Sequence, residues 1–242
     1  MNEIINKFFE NLQPYDVGEQ LMRFGADSDG GYVVPLKSLY LADIFYTYGV
    51  GGEISFENDI SSFCDNEFYF FDPTVHGLPT PKPQYKFFRE GLGTAPNCYS
   101  YETHIKRFKH ENKKILLKVD VEGAEYGNMD KIPLELMDNI TGIVMEIHNL
   151  HDANYMNQFD SIANHLKQRF TLCHTHLNNF GSPMQIGEHK LYNAIEVTYI
   201  NTSLCNSPPQ LPYWKCPIMK LDKSNNKNIP DVELSFLKKR IL

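Results

Sequence analysis

Ile4, Ile5, Phe8, Phe9 and Leu12 recur at helical spacing and Pro14 follows, so the pattern predicts a short helix over 2–12. From Arg23 to Pro35 the chain is rich in Gly, Asp and Ser, which predicts a turn-rich loop running into a short extended piece. Apolar runs and amphipathic stretches then alternate. Strands are predicted at 43–48, 67–71, 85–90, 114–119, 142–147, 171–177 and 194–200, and helices at 53–63, 101–109 and 153–170. The 114–119 run is nearly all aliphatic, as strands buried on both faces are. This βαβα alternation predicts an α/β chain with a seven-stranded, mostly parallel sheet and helices on both faces. The tail from Asn201 is rich in Pro, Asn and Lys and reads as an extended appendage with a final short helix at 232–239. The reading is one domain over 1–242: an N-terminal helix and loop over 1–40, a Rossmann-like core over 41–200, and the appendage over 201–242.

Composition narrows the partners. With 23 basic and 30 acidic residues the formal charge is −7, so the chain has no general electrostatic reason to hold a nucleic acid. No apolar run reaches membrane-spanning length, and residues 1–10 lack the basic-then-apolar order of a signal peptide. Cys64, Cys98, Cys173, Cys205 and Cys216 are scattered, odd in number and form no C-x-x-C, which reads as reduced thiols in a cytoplasmic protein. Aromatics make up 13% of the chain; stacking on a ligand is open to them, but a packed core is the default reading.

Two stretches carry candidate chemistry. After the first strand comes Gly49-Val-Gly51-Gly52-Glu53, where glycines allow a sharp turn and close approach of a ligand to the backbone. In open α/β sheets ligands bind at this carboxyl edge, and Asp72, ending the next strand, stands where a carboxylate would hold ribose hydroxyls. A tight turn with no ligand explains the same residues. The third glycine of a dinucleotide site is missing, and Glu53 and Glu57 near the helix start would repel a pyrophosphate. A phosphate-free cofactor carrying a sulfonium charge fits better. The second stretch, Lys118-Val-Asp120-Val-Glu122-Gly123-Ala-Glu125-Tyr126, delivers three carboxylates to the same edge. Glu122 and Glu125 also suit a plain helix start, where the dipole favours acids; Asp120, ending a buried strand, fits that explanation less well.

The K-V-D-V-E-G-A-E-Y stretch resembles the signature of FkbM-type methyltransferases, a hydrophobic strand followed by D-x-E-G-x-E. Arg23-x-Gly25-x-x-x-Asp29-Gly30-Gly31-Tyr32-Val33, Met145-Glu-Ile-His148 and His174-x-His176-x-Asn178-Asn179 resemble members of that group as well. The resemblance spans roughly 20–200 and implies a class I methyltransferase fold, for which seven strands closing on a β–β pair are suited. It also implies S-adenosylmethionine as cofactor and O-methyl transfer, often to a sugar hydroxyl. Carried onto this chain, Gly49 and Gly51 would sit against the methionine part, Asp72 would hold the ribose, and Leu92 and Tyr101 would border the adenine. Asp120, Glu122 and His148 would face the acceptor. The family places an acid before the first glycine; Tyr46, Thr47 and Tyr48 stand there, and Asp29 or Glu53 would compensate. A nucleotide-linked sugar from surface polysaccharide synthesis is the acceptor expected on this resemblance, and a homo-oligomer is compatible with it.

Glu146 and His148 alternate on one strand, and His174 and His176 on the next, so each pair shares a face. Asp120, His148 and His176 form a candidate set for a divalent ion such as Mn, Fe, Zn or Mg, which would lower the pKa of a bound hydroxyl. Alternatively His148, oriented by Glu146 or Asp120, acts as a general base, or the histidines are only hydrogen-bonded strand ends. His76, His104, His110 and His165 read as solvent or loop residues. Two rival functions remain: a nicotinamide-dependent oxidoreductase, in which the acids at 120–125 have no evident role, and a non-catalytic binding protein on the same fold.

Overall fold

The computed structural model describes residues 2–186 and 188–238. Its centre is a seven-stranded sheet: β1 (Ile44–Tyr48), β2 (Glu67–Phe71), β3 (Tyr85–Phe88), β4 (Ile115–Val119), β5 (Ile140–Ile147), β6 (Phe170–Asn178) and β7 (Ala194–Asn201). The spatial order is β6-β7-β5-β4-β1-β2-β3. Only β7 runs against the others, pairing antiparallel with both β5 and β6. The chain is therefore α/β with a mostly parallel sheet, an arrangement compatible with a Rossmann-like fold.

Every residue of β1, β4 and β5 is buried, because both faces of the sheet are covered. Ile44, Tyr46 and Tyr48 of β1 join the core beneath α1 (Asn2–Asn11), while Phe45 joins a second core on the opposite face, beneath α2 (Leu36–Tyr40) and α3 (Ser55–Ile60). The first face is completed by α4 (Tyr101–Phe108), the single turn α5 (Leu134–Met137) and α6 (Ala153–Leu166). Ser100 caps α4 by accepting from the Thr103 amide, and Asp152 caps α6 by accepting from Asn154. No helix among the described residues is long and apolar enough to cross a membrane, and all five cysteines are free.

The structure departs from the sequence reading at short elements. The predicted 53–63 and 153–170 helices are shorter, and residues 21–24 and 32–35 form a two-stranded ribbon that leads directly into α2. A second hairpin pairs Met184–Ile186 with His189–Leu191. His104 and His110 are not solvent residues. They are buried under the sheet, where the Tyr48 hydroxyl lies 2.9 Å from His104 Nδ1 and the Tyr46 hydroxyl 2.8 Å from His110 Nδ1. The two tyrosines before the first glycine thus supply core polar pairs. Burial pulls the His104 pKa down to about 4, aided by the Arg107 charge, so it is neutral at neutral pH.

Nor is the tail a free appendage. Thr202–Leu204 makes one 3-10 turn and the rest of the tail lacks helices and ladder strands among the described residues; 232–238 hold only a turn at 235–236 in place of the predicted helix, whose last residue, Lys239, lies outside the described residues. The tail folds back along β6 and β7. Asp222 pairs with His174 at 2.9 Å, Asp231 with His176 at 3.0 Å, and the Asn225 amide donates to Glu196 at 2.7 Å. Burial alone would lower the His176 pKa, but the Glu196 charge and the hydrogen bonds with Asp231 and Glu196 outweigh it and raise it to about 10. The folded state therefore holds a proton that the unfolded chain releases above about pH 6.5. This contribution, on the order of a few kcal/mol, is complete below that pH and is lost as pH rises toward 10. Urea midpoints from pH 6.5 to 10 are expected to fall more steeply in the wild type than in His176→Gln; parallel curves would contradict the pairing.

Candidate functional site

A cleft of about 340 Å³ opens at the carboxyl ends of β1, β2 and β4. Its position follows from the order of the sheet, since these three strands are neighbours and the chain turns away after each. After β1 the backbone turns at Gly49 (φ +83°), whose amide donates to the Phe71 carbonyl at 2.9 Å. A Cβ on Gly49 would run into the Asp120 carbonyl oxygen, so only glycine lets the ends of β1 and β4 approach this closely. Gly51 and Gly52 are the opposite case. A Cβ on either would meet nothing within 4 Å, which leaves the cleft side of the turn open to a ligand.

Asp72 lies on the wall, but its carboxylate is already used. Oδ2 accepts from the amides of Val50 (2.8 Å) and Gly51 (3.0 Å), and Oδ1 from the Thr74 amide (2.7 Å) and hydroxyl (2.6 Å). A carboxylate has about four acceptor positions. All are taken, so the expected ribose contact is not open to it here, and Asp72 instead fastens the glycine turn. Burial raises its pKa, and these hydrogen bonds more than reverse that. Leu92 is on the wall, whereas Tyr101 is not. The first residue of α4, Tyr101 points into the core with its ring 6.2 Å from that of Tyr46. Cys98 lines the cleft near Leu92 instead, with no sequence signal to mark it.

The Arg23–Val33 motif builds the opposite wall. Arg23 Nη2 donates to the carbonyls of Ala26 (3.0 Å) and Ser28 (2.8 Å), closing the loop. Asp29 and Glu53 both line the cleft. The amides of Asn178 (3.3 Å) and Asn225 (3.1 Å) hold Asp29, whose pKa is raised chiefly by burial; Glu53 accepts from the Ser55 amide. From the same motif the Tyr32 hydroxyl donates to Asp120 Oδ2 at 2.9 Å. Lys118 comes from β4 to the same wall, its buried ammonium 3.7 Å from Glu57 and 5.0 Å from the centre of the Tyr32 ring.

At the far end the turn after β4 presents Asp120 and Glu122. Glu122 sits in the left-handed region (φ +53°), followed by Gly123 at φ +109°; Asn149, after His148, is left-handed too (φ +60°). Such turns cost energy in non-glycine residues, and their clustering at two adjacent strand ends points to function. No helix begins at Glu122 or Glu125. Glu125 is fully buried: Oε2 accepts from the Gly123 amide at 2.8 Å, and Oε1 accepts from the His148 amide at 2.9 Å and lies 3.3 Å from His148 Nδ1.

His148 lies behind Asp120 and Glu122 and does not form the wall itself. Its Nε2 is 3.5 Å from Glu122, 3.7 Å from Asp120 and 3.9 Å from Glu146. Burial opposes its charge, but the Glu125 hydrogen bond and the charges of Glu146, Glu125 and Glu122 push its pKa to about 9. Glu146 accepts from the Asn178 amide at 2.7 Å, and burial drives its pKa well above the usual range. The donor atoms of Asp120, Glu146 and His148 all fall within 4.8 Å of one another. His176 is not among them. The sheet order inserts β7 between β5 and β6, so His176 faces Glu196 at 3.1 Å, and Glu146 takes the place expected for it.

The cleft lining carries five carboxylates, of Asp29, Glu53, Asp72, Asp120 and Glu122, against the single ammonium of Lys118, which suits a cationic ligand. No protein-family model matches this chain, and no curated protein matches it.

Proposed function

We propose that the protein transfers a methyl group from S-adenosylmethionine to a hydroxyl of a small-molecule acceptor. The observation that carries this reading is the charge of the cleft beside an open glycine turn: five carboxylates and one paired lysine attract a sulfonium and repel the pyrophosphate of a nicotinamide cofactor. Support also comes from the reversed β7 between β5 and β6, which is the closing pair of the methyltransferase variant of the Rossmann fold, and from the FkbM-like Asp120–Glu125 segment.

In this reading the turn at Gly49–Gly52 receives the cofactor and Asp72 holds that turn in shape. Asp120 accepts the hydrogen bond of the acceptor hydroxyl and aligns its oxygen with the methyl carbon and sulfur, and this positioning is the protein's main contribution. The oxygen forms a bond to the methyl carbon while the carbon–sulfur bond breaks, its electron pair staying on sulfur to leave S-adenosylhomocysteine. The hydroxyl proton passes along that hydrogen bond to Asp120, whose side chain is 26% exposed at the cleft and can release it to water. A sugar hydroxyl suits this polar end. A nucleotide-linked sugar would have to keep its diphosphate outside the carboxylate-lined cleft. Incubation with methyl-labelled S-adenosylmethionine and a panel of free, glycosidic and nucleotide-linked sugars tests the reading. Label is expected on a hydroxyl of at least one; label transfer to none, together with hydride transfer from NADH, would support the oxidoreductase.

A further inference from the structure

We propose that Asp120, Glu146 and His148 hold a divalent cation of the Mn²⁺ or Fe²⁺ type, and that the acceptor binds it through two neighbouring oxygens. The cluster is built as a ligand set. Donors about 2.1 Å from a common ion stand about 3 Å apart when adjacent and about 4.2 Å apart when opposite. His148 Nε2 lies 3.7 Å from Asp120 Oδ1 and 3.9 Å from Glu146 Oε1, within that interval and beyond hydrogen-bond reach. His148 is only 5% exposed, yet its Nε2 has no hydrogen-bond partner and is aimed at three carboxylates.

The other ring nitrogen is fixed independently. Glu125 lies 3.3 Å from Nδ1 and is itself anchored by the backbone amides of Gly123 and His148. A buried carboxylate on the remote nitrogen is the arrangement that orients a metal-binding imidazole. Asn178 donates to Glu146 Oε1 at 2.7 Å, the oxygen that faces His148, and so holds that carboxylate in place. One imidazole with two carboxylates suits a mid-series ion better than Ca²⁺ or Mg²⁺, which favour all-oxygen shells.

Three protein ligands leave positions for the acceptor, and Asp120 puts the cluster in contact with the cleft. A vicinal diol, or a hydroxyl beside a carbonyl, fills two such positions; a lone alcohol fills one. This acceptor class rests on the methyl-transfer reading, whereas the cation site does not.

Titration of the full-length protein with Mn²⁺, followed calorimetrically and by the loss of the free-ion paramagnetic signal, tests the site. One ion per chain is expected. His148→Ala and Glu146→Gln should each weaken binding at least 10-fold, and Glu125→Gln about 10- to 100-fold, without touching the ion. Circular dichroism checks that each variant is folded; if one is not, Asp120→Asn, on the exposed edge of the cluster, replaces it. No Mn²⁺ uptake by the wild type, or equal uptake by all folded variants, overturns the proposal. If S-adenosylhomocysteine binds and Mn²⁺ does not, the cation site falls and the methyltransferase reading stands; the converse result separates them the other way.

Discussion

Asp120→Asn is expected to lower kcat for methyl transfer by about 10³-fold while changing the affinity for S-adenosylhomocysteine only a few-fold. The substitution keeps the size of the side chain and removes its charge. Asp120 ends β4 on the cleft wall, and one of its oxygens takes the Tyr32 hydroxyl at 2.9 Å. An amide oxygen can still accept that bond, so the Tyr32 contact and the fold are retained. What is lost is the second acceptor oxygen, where the substrate hydroxyl would be held and where the cluster with Glu146 and His148 converges. The glycine turn, held by Asp72 and not by the Asp120 side chain, keeps its shape. Steady-state kinetics and calorimetry on the same preparation separate the two effects. A variant that turns over normally would remove Asp120 from the reaction, and one that loses cofactor affinity in proportion would place it at the cofactor.

Asp72→Asn should have the opposite profile, losing cofactor affinity and stability together. In the native turn two donors converge on each carboxylate oxygen. An asparagine must turn its NH₂ group either toward the amides of Val50 and Gly51 or toward Thr74, so one pair of donors is left facing another donor. Hydrogen bonds to a charged group contribute about 1.5–3 kcal/mol each, and unsatisfied donors add to the loss. A destabilisation of roughly 2–3 kcal/mol corresponds to a melting temperature lower by about 5–10 °C in a chain of this size. The loosened glycine turn should weaken S-adenosylhomocysteine binding by at least about 10-fold. Unchanged melting and binding would mean that the carboxylate does not hold the turn.

The seven strands were legible because buried parallel strands are short, continuous apolar runs, and β1, β4 and β5 are buried throughout. Of the 21–24 and 32–35 ribbon only the second strand is legible, as the short extended piece ending at Pro35; the four residues at 21–24 carry too little periodicity, and the Gly-Asp-rich stretch between reads as plain loop. At the site, the residues placed on the wall by local pattern, such as Gly49, Asp120 and Glu122, sit directly at strand ends. Those misplaced depend on what lies across the sheet. His176 looked adjacent to His148 in a run of successive strands, but chain order is not spatial order, and β7 with Glu196 stands between them. Tyr101 has the right position in sequence and the wrong rotation about α4, with its ring turned into the core. Glu125 resembles a helix-start acid until its partner, 23 residues on, is known. Asn225, 196 residues from Asp29, was hidden in a tail whose composition suggests no packing.

Methyl transfer requires that the cleft at Gly49–Gly52 hold S-adenosylmethionine. Titration of the wild-type chain with S-adenosylhomocysteine, and separately with NAD, tests it most directly. One S-adenosylhomocysteine per chain is expected, with a Kd in about the micromolar range, and no heat from NAD. Binding of NAD with none of S-adenosylhomocysteine would contradict it.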